Sequence, residues 1–247
     1  MRSAGHLLYD IMQRIAEVIK AGETTAAIDA FADELIKRSH AIPSFYNYRG
    51  YPKSICASVD DEVVHGIPSD QVVLKEGSII SIDCGLILDG WQADSAFTLP
   101  VGRVSPEKLA LIRVTEECFF AGAAAAVHDN RTGDIGYAVQ SLAERHHYGV
   151  VRDLTGHGIG QKMHEDPSVP NYGLPGHGVR LRSGMTLAIE PMITLGSYRI
   201  KEMDDGWTIK TADASPCSHY EHTILVQEGM PEILPLPGYR FPGKGQS

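Results

Sequence analysis

Four carboxylates and a few imidazoles in this sequence stand where chemistry is to be expected. The segment "LRSGMTLAIEP" (181–191) is a Gly turn, a short apolar run from Met185 to Ile189, then Glu190 and Pro191. A lone ionised carboxylate at the end of a buried strand costs several kcal/mol unless something compensates it. The segment "SIDCGLILDGWQADSAF" (81–97) carries two more acids on either side of Asp89-Gly90, a two-residue hairpin signal. With that loop Asp94 falls opposite Gly85, and Asp83 shares the face of Gly85 because side chains alternate. Asp83 and Asp94 are then diagonal neighbours, roughly 7–8 Å apart at the backbone. Gly85 puts no side chain between them, and Ser81 on the same face is small. Such a pair suits an acid/base couple sharing a proton or a divalent cation held between the two; solvent-facing aspartates on an edge hairpin are the plain alternative.

"LTGHGIGQKMHEDP" (154–167) offers His157 between glycines and His164 seven residues on. Flanking glycines let the backbone turn sharply and leave the ring approachable, which suits a metal ligand or a proton carrier. "HYEHTILV" (219–226) puts Glu221 at the mouth of another strand. Two Asp, two Glu and one or two His, with no cysteine among them, suit Mn, Fe, Co or Zn. Four carboxylates fit two ions about 3.5–4 Å apart, an arrangement that activates water and polarises a carbonyl. The residues therefore indicate metal-assisted hydrolysis without naming a substrate. His219 and His222, flanking Glu221, are expected to point away from it as supporting or surface residues. His65 in "VVHGIP" (63–68) is open between a packing and a site residue, and His6, His40, His128, His146, His147 and His177 fall on helix ends or loops.

The elements that must position these groups come in two similar sets. Residues 74–83 read "LKEGSIISID" and residues 181–190 read "LRSGMTLAIE": leucine, base, polar residue, Gly, five strand residues, acid. Each segment follows helical sequence, Ser3–Lys20 and Thr24–Arg38 before the first, Pro106–Val127 and Thr132–Tyr148 before the second, with Ser105 as a cap. The fold class expected is α+β, two pseudo-symmetric ααββ halves around a central antiparallel sheet with helices outside. One catalytic domain spans 1–247, with the repeat at roughly 3–104 and 105–234 and a loose Pro- and Gly-rich tail over 235–247. Symmetry of that kind brings Asp83 and Glu190 to equivalent places beside the centre.

Bulk properties narrow the class. The 247 residues are 43% hydrophobic and 21% charged, as in ordinary globular proteins, and no apolar run reaches the about 18 residues that a membrane helix requires. The start "MRSAGHLLYD" has no signal-peptide pattern. Four scattered cysteines with no C-x-x-C pair imply free thiols in a reducing cytoplasm. A net charge of −9 without basic runs disfavours nucleic acid and anionic membranes as partners.

In order along the chain, "YPKSICASV", "EVVHGIP", "SIDCG", "DGWQADSAFT", "GHGIGQKMHEDP", "MTLAIEPM", "DGWTIKTAD" and "YEHTILV" together resemble the type I methionine aminopeptidases. These have the pita-bread fold shared with prolidase, aminopeptidase P and creatinase. The resemblance implies that Asp83, Asp94, His157, Glu190 and Glu221 hold two divalent ions (Co, Mn, Fe or Zn), with Asp94 and Glu221 bridging. It implies that Glu190 is the general base, that His65 contacts the substrate amide nitrogen, and that His164 contacts the scissile carbonyl. A methionine pocket is implied from Tyr48, Tyr51, Cys56, Met163 and Trp207, with Phe45 nearby; an apolar, polarizable thioether suits aromatic and sulfur walls. The implied activity is removal of the initiator methionine ahead of a small second residue. The substrates are nascent-chain N-termini and methionyl peptides, met transiently near the ribosome, by a protein expected to be monomeric.

Departures from the commonest family pattern are Phe45 for a frequent Cys, Met163 for an aromatic, Asp60 for Asn and Ala188 for Thr. The alternatives are a proline-directed peptidase of the same fold and a non-catalytic scaffold. The first generally needs an additional N-terminal domain, for which the residues before "PSFYNY" leave no room; the second is disfavoured by the full donor set. The 28 residues between "GHGIG" and "IEPM" leave no space for the helical insertion of a type II enzyme.

Overall fold

The computed structural model describes residues 1–236 together with Gly238 and Tyr239. Its four α-helices among these residues are α1 (Arg2–Val18), α2 (Thr25–Arg38), α3 (Pro106–Ala125) and α4 (Thr132–Arg145). The starts of α2, α3 and α4 follow from local chemistry. Thr24 accepts a hydrogen bond from the Ala27 amide at 3.1 Å, and Asp134 accepts one from the Arg131 amide at 2.7 Å. Ser105 caps α3 just before Pro106, whose missing amide proton costs nothing at a first turn. Along α1, Leu8, Ile11 and Ile15 recur at helical spacing and are all buried.

The strands form three sheets. The largest contains β1 (Ile42–Pro43), β2 (Ile55–Val59), β4 (Ile79–Leu88), β5 (Trp91–Pro100), β7 (Thr155–Gly158), β8 (Glu165–Pro170), β9 (Thr186–Ile189), β14 (Glu221–Leu225) and β15 (Glu232–Ile233). β3 (Glu62–Val64) pairs with β12 (Ile209–Thr211), which also pairs with β11 (Ile200–Glu202). β10 (Met192–Thr194) lies between β6 (Gly149–Val150) and β13 (Cys217–His219).

The path through the large sheet is β1-β4-β5-β14-β9-β7-β8, antiparallel throughout, with β2 also on the edge of β4. Strands from the first part of the chain meet strands from the second at a central seam between β5 and β14. The hairpin β4–β5 belongs to the first half; β9 and β14 take the corresponding places in the second. Asp89 and Gly90, at φ 51° and 79°, make the tight turn that puts Gly85 opposite Asp94. Each half has its own core. Leu8, Ile15, Ile28, Ile36, Ile80, Ile82 and Leu86 fill the first, and Phe119, Ile135, Leu187, Ile189 and Ile224 the second. Each such side chain stabilises by about 1.5–3 kcal/mol on burial.

Of the expected tail over 235–247, Pro235, Leu236, Gly238 and Tyr239 are described. Pro235 is buried and Leu236 packs against the second core, because β15 delivers the chain onto β14. The ring of Tyr239 stacks on Phe120 with centroids 4.8 Å apart. The remainder of the expected tail, Pro237 and 240–247, lies outside the described residues.

Candidate metal centre

Strand register explains how the acids meet. One rung of the large sheet runs Cys56, Asp83, Ala96, Glu221, with Ile189 and then Glu190 following beside His222 and Glu221. The next rung on the same face includes Gly85, Asp94, Ala188 and His157, with Thr223 opposite Ala188. Small residues (Gly85, Ala96, Ala188) alternate with the donors, and Thr223 turns its hydroxyl back on Asp94, donating to its carbonyl at 3.1 Å. All five candidate ligands therefore face one space although they come from both halves.

Gly85 clears space for a different reason than expected. A Cβ there would lie 2.9 Å from Met163 Cε and 3.0 Å from Phe45 Cε1, so the missing side chain makes room for the pocket wall rather than for the carboxylates.

His157 is held in one tautomer. Its Nδ1 donates to the Gly158 carbonyl at 2.9 Å, leaving the Nε2 lone pair 3.7 Å from Glu190 Oε1 and 3.9 Å from Asp94 Oδ2. Burial lowers its pKa and keeps it neutral. Burial also raises Asp83, Glu190 and Glu221 well above the usual carboxylate range, and mutual repulsion, led in each case by the Asp94 charge, adds to it. Asp94 rises to about 7 through burial, moderated by the Ser95 amide that donates to Oδ1.

Among the described residues, no Lys or Arg forms an ion pair with any of these four acids, whose only charged-pair neighbours are His157 and His219. Asp83 Oδ1, Glu221 Oε1 and His219 Nε2 are buried without a hydrogen-bond partner. Two overlapping donor groups, Asp94/His157/Glu221 and Asp83/His219/Glu221, each bring their donor atoms within 4.8 Å of one another. Crowded acids with orphaned oxygens and a neutral imidazole fit divalent cations, which supply the compensation that no basic side chain provides.

A cleft opens onto this cluster, lined also by Phe45, Tyr48, Arg49, Cys56, His65, His164 and Trp207. Tyr51 and Met163, expected on the pocket wall, are each 2% exposed and pack behind it. The Tyr51 hydroxyl donates to the Ile55 and Gly66 carbonyls, and its ring meets Trp207 edge-on at 5.0 Å. Burial, then the nearby Asp83 charge, pushes the Cys56 thiol well up, so it is a neutral, soft wall. His65 sits in the left-handed region at φ 59° with its ring 6.3 Å from Trp207. Burial and then His164 lower its pKa. His164 stacks on Tyr48, and its pKa is lowered to about 4 by desolvation in the cleft, then by His157 and Arg49.

The expectation that His219 and His222 both point away from Glu221 holds for His222 alone. His222 lies across the sheet, bonded to Ser95 and to the Tyr220 hydroxyl. His219 is 1% exposed and its Nε2 lies 3.5 Å from Glu221 Oε2. Two residues apart along an extended chain, 219 and 221 share a face, so alternation itself held the signal. Arg49 had none: its place at the cleft follows from a local turn with φ 51°.

Residues 1–228 match the model of metallopeptidase family M24. The chain belongs to that family. A methionine aminopeptidase of Clostridium acetobutylicum is 50% identical to this M24 chain over 236 residues, 96% of this chain and 94% of the relative. The methionine aminopeptidase 1 of Bacillus subtilis is 45% identical over 234 residues, covering 95% and 94%. The crystal structure of methionine aminopeptidase from Rickettsia prowazekii superposes with a TM-score of 0.93 at 43% identity, covering 95% of each chain. The prolidase from Pyrococcus horikoshii superposes at 0.74 with 19% identity, over 95% of this chain and 60% of that one, a likeness of fold alone. The M24 chain has the pita-bread fold, with four helices about a large antiparallel sheet.

Proposed function

We propose that this M24 chain is a methionine aminopeptidase that removes the N-terminal methionine from nascent proteins and peptides, favouring a small second residue. The observation that carries the reading is the meeting of Asp83, Asp94, His157, Glu190 and Glu221 on two adjacent rungs, without basic partners, beside an apolar cleft. These five residues would hold two divalent ions, of Co, Mn, Fe or Zn; when bound, such ions supply Lewis acidity that activates water near neutral pH and polarises a carbonyl.

The chain's own groups do the rest. Glu190 takes the proton of the attacking water. The Tyr48 hydroxyl bonded to His164 Nδ1 leaves Nε2 as the donor that meets charge developing on the scissile oxygen. His65, neutral beside Trp207, meets the amide nitrogen of the first peptide bond. Phe45, Tyr48, Cys56 and Trp207 receive the methionine side chain, with Tyr51 and Met163 bracing that wall. The substrate's free α-amino group faces the carboxylates, which restricts attack to the first residue. Because each half supplies donors, 3–104 and 105–234 work as one catalytic domain.

No described helix is long and apolar enough to cross a membrane, and the four cysteines are free and buried. The proposed place of action is the cytoplasm, as a monomer, on chains leaving the ribosome. A proline-directed specificity has no feature here to favour it, and a non-catalytic scaffold has no use for four converging acids.

The test is release of free methionine from Met-Ala-Ser with added Mn or Co, against a chelated control. Metal-dependent release, abolished in Glu221→Ala and His157→Ala, is expected. No release with any of several divalent ions, or full release from those variants, overturns the reading. Elemental analysis of protein purified anaerobically identifies the native ion.

A further inference from the structure

His219 stands outside the five residues that the proposed function uses. It ends β13, at 1% exposure, with Nε2 orphaned and 3.5 Å from Glu221 Oε2. That separation is too long for a hydrogen bond. It is the separation of two donors that share an ion: at about 2.1 Å each and a tetrahedral angle, their mutual distance is roughly 3.4 Å. His157 stands in a comparable relation to the other side of the cluster, 3.7 Å from Glu190 Oε1. The backbone of His219 is fixed from both ends, its amide donating to Thr98 Oγ1 at 3.0 Å and its carbonyl accepting from the same hydroxyl at 2.8 Å. Thr98 is itself bonded to Ser81, so the imidazole is held on the Asp83 side by the first half of the sheet.

We propose that His219 is a sixth protein ligand, binding through Nε2 to the ion on the Asp83 side. The inference rests on the two-ion reading above. Each ion then has one imidazole, His157 on one and His219 on the other, in place of a mixed site beside an all-carboxylate one. Nitrogen donation on both sides favours Fe, Co or Zn over Mn for the second ion as well as the first.

The test uses the full chain loaded with two equivalents of Co. X-ray absorption at the cobalt edge counts imidazoles without any variant: about one per cobalt is expected, and about one per two cobalts overturns the proposal. In parallel, Co binding by equilibrium dialysis and elemental analysis is compared for the wild type, His219→Ala and His219→Gln. The second equivalent should weaken by about ten-fold or more in both variants, while the first is unchanged. A second equivalent held as tightly in both variants overturns the assignment. If His219→Ala does not fold, as circular dichroism shows, His219→Gln and the wild-type absorption spectrum decide. Wild-type protein that takes up no cobalt defeats both this and the underlying reading; two cobalts sharing one imidazole defeat this alone.

Discussion

The hydroxyl of Tyr48 lies 2.7 Å from Nδ1 of His164, and the two rings stack with centroids 5.4 Å apart. A phenol proton directed at Nδ1 fixes which nitrogen of His164 is left to face the cleft. The His157 ring, with its centroid 4.2 Å away, is the other close ring contact of His164. Tyr48→Phe keeps the stacking and removes the bond. A loss of about 1 kcal/mol, roughly five-fold in kcat/KM for a methionyl peptide, is expected with metal content intact. Unchanged kcat/KM would show that stacking alone orients the ring.

Gly85 gives a second prediction, because the nearest atoms to an added Cβ belong to Met163, Phe45 and Ser44 and not to the acids. Gly85→Ala should destabilise by about 1–3 kcal/mol through overpacking. It should raise KM for methionyl peptides and leave bound metal unchanged. Lost metal with unchanged KM would place the crowding at the ions instead.

His65 is near the cleft but is not among the ligand candidates. His65→Ala should retain both ions by elemental analysis and lower kcat by about a hundred-fold or more, the usual scale for a lost proton-transfer partner. Metal loss in this variant would assign it to the ion cage.

The four acids make metal-free stability depend on pH in a defined direction. Their folded-state pKa values lie above the unfolded ones, with Asp94 at about 7 and the others raised by burial and repulsion. The folded metal-free chain therefore binds more protons than the unfolded chain from about pH 4 upward, and this contribution to stability falls as pH rises through the folded values. Ions compete with those protons for the same oxygens. The gap in Tm between Co-loaded and chelated protein should widen from about pH 5 to about pH 8. A gap that is constant or narrows contradicts the assignment of these acids as the ligands.

Much of the centre was legible because it rests on short-range rules. Asp89-Gly90 sets the hairpin register, alternation puts Asp83 and Asp94 on one face, and the echo of 74–83 in 181–190 places Glu190 across the seam. Long-range pairing was not legible. Nothing local announces that β2 pairs with β4 and sets Cys56 opposite Asp83, or that Ala96 and Ala188 are the spacers between donors. Composition does not say whether Tyr51 and Met163 face or back the wall: Met163 packs into the space Gly85 leaves, and Tyr51 is held by its hydroxyl bonds to the Ile55 and Gly66 carbonyls. The parity of 219 with 221 puts His219 on the donor face beside Glu221, whereas Pro and Gly content says nothing of the β14 edge that receives β15 and brings Leu236 onto the second core.

The seam between β5 and β14 divides the donors by order along the chain as well as by position in the sheet. Asp83 and Asp94 precede the connection at 101–105, and His157, Glu190 and Glu221 follow it. A polypeptide nicked in that connection would yield two fragments, each with an incomplete set of donors. Only when the fragments zip together along β5 and β14 is the complete set restored. Cation uptake by the mixture would thus report reassembly of the halves, turning the centre into a gauge of whether the fold has closed.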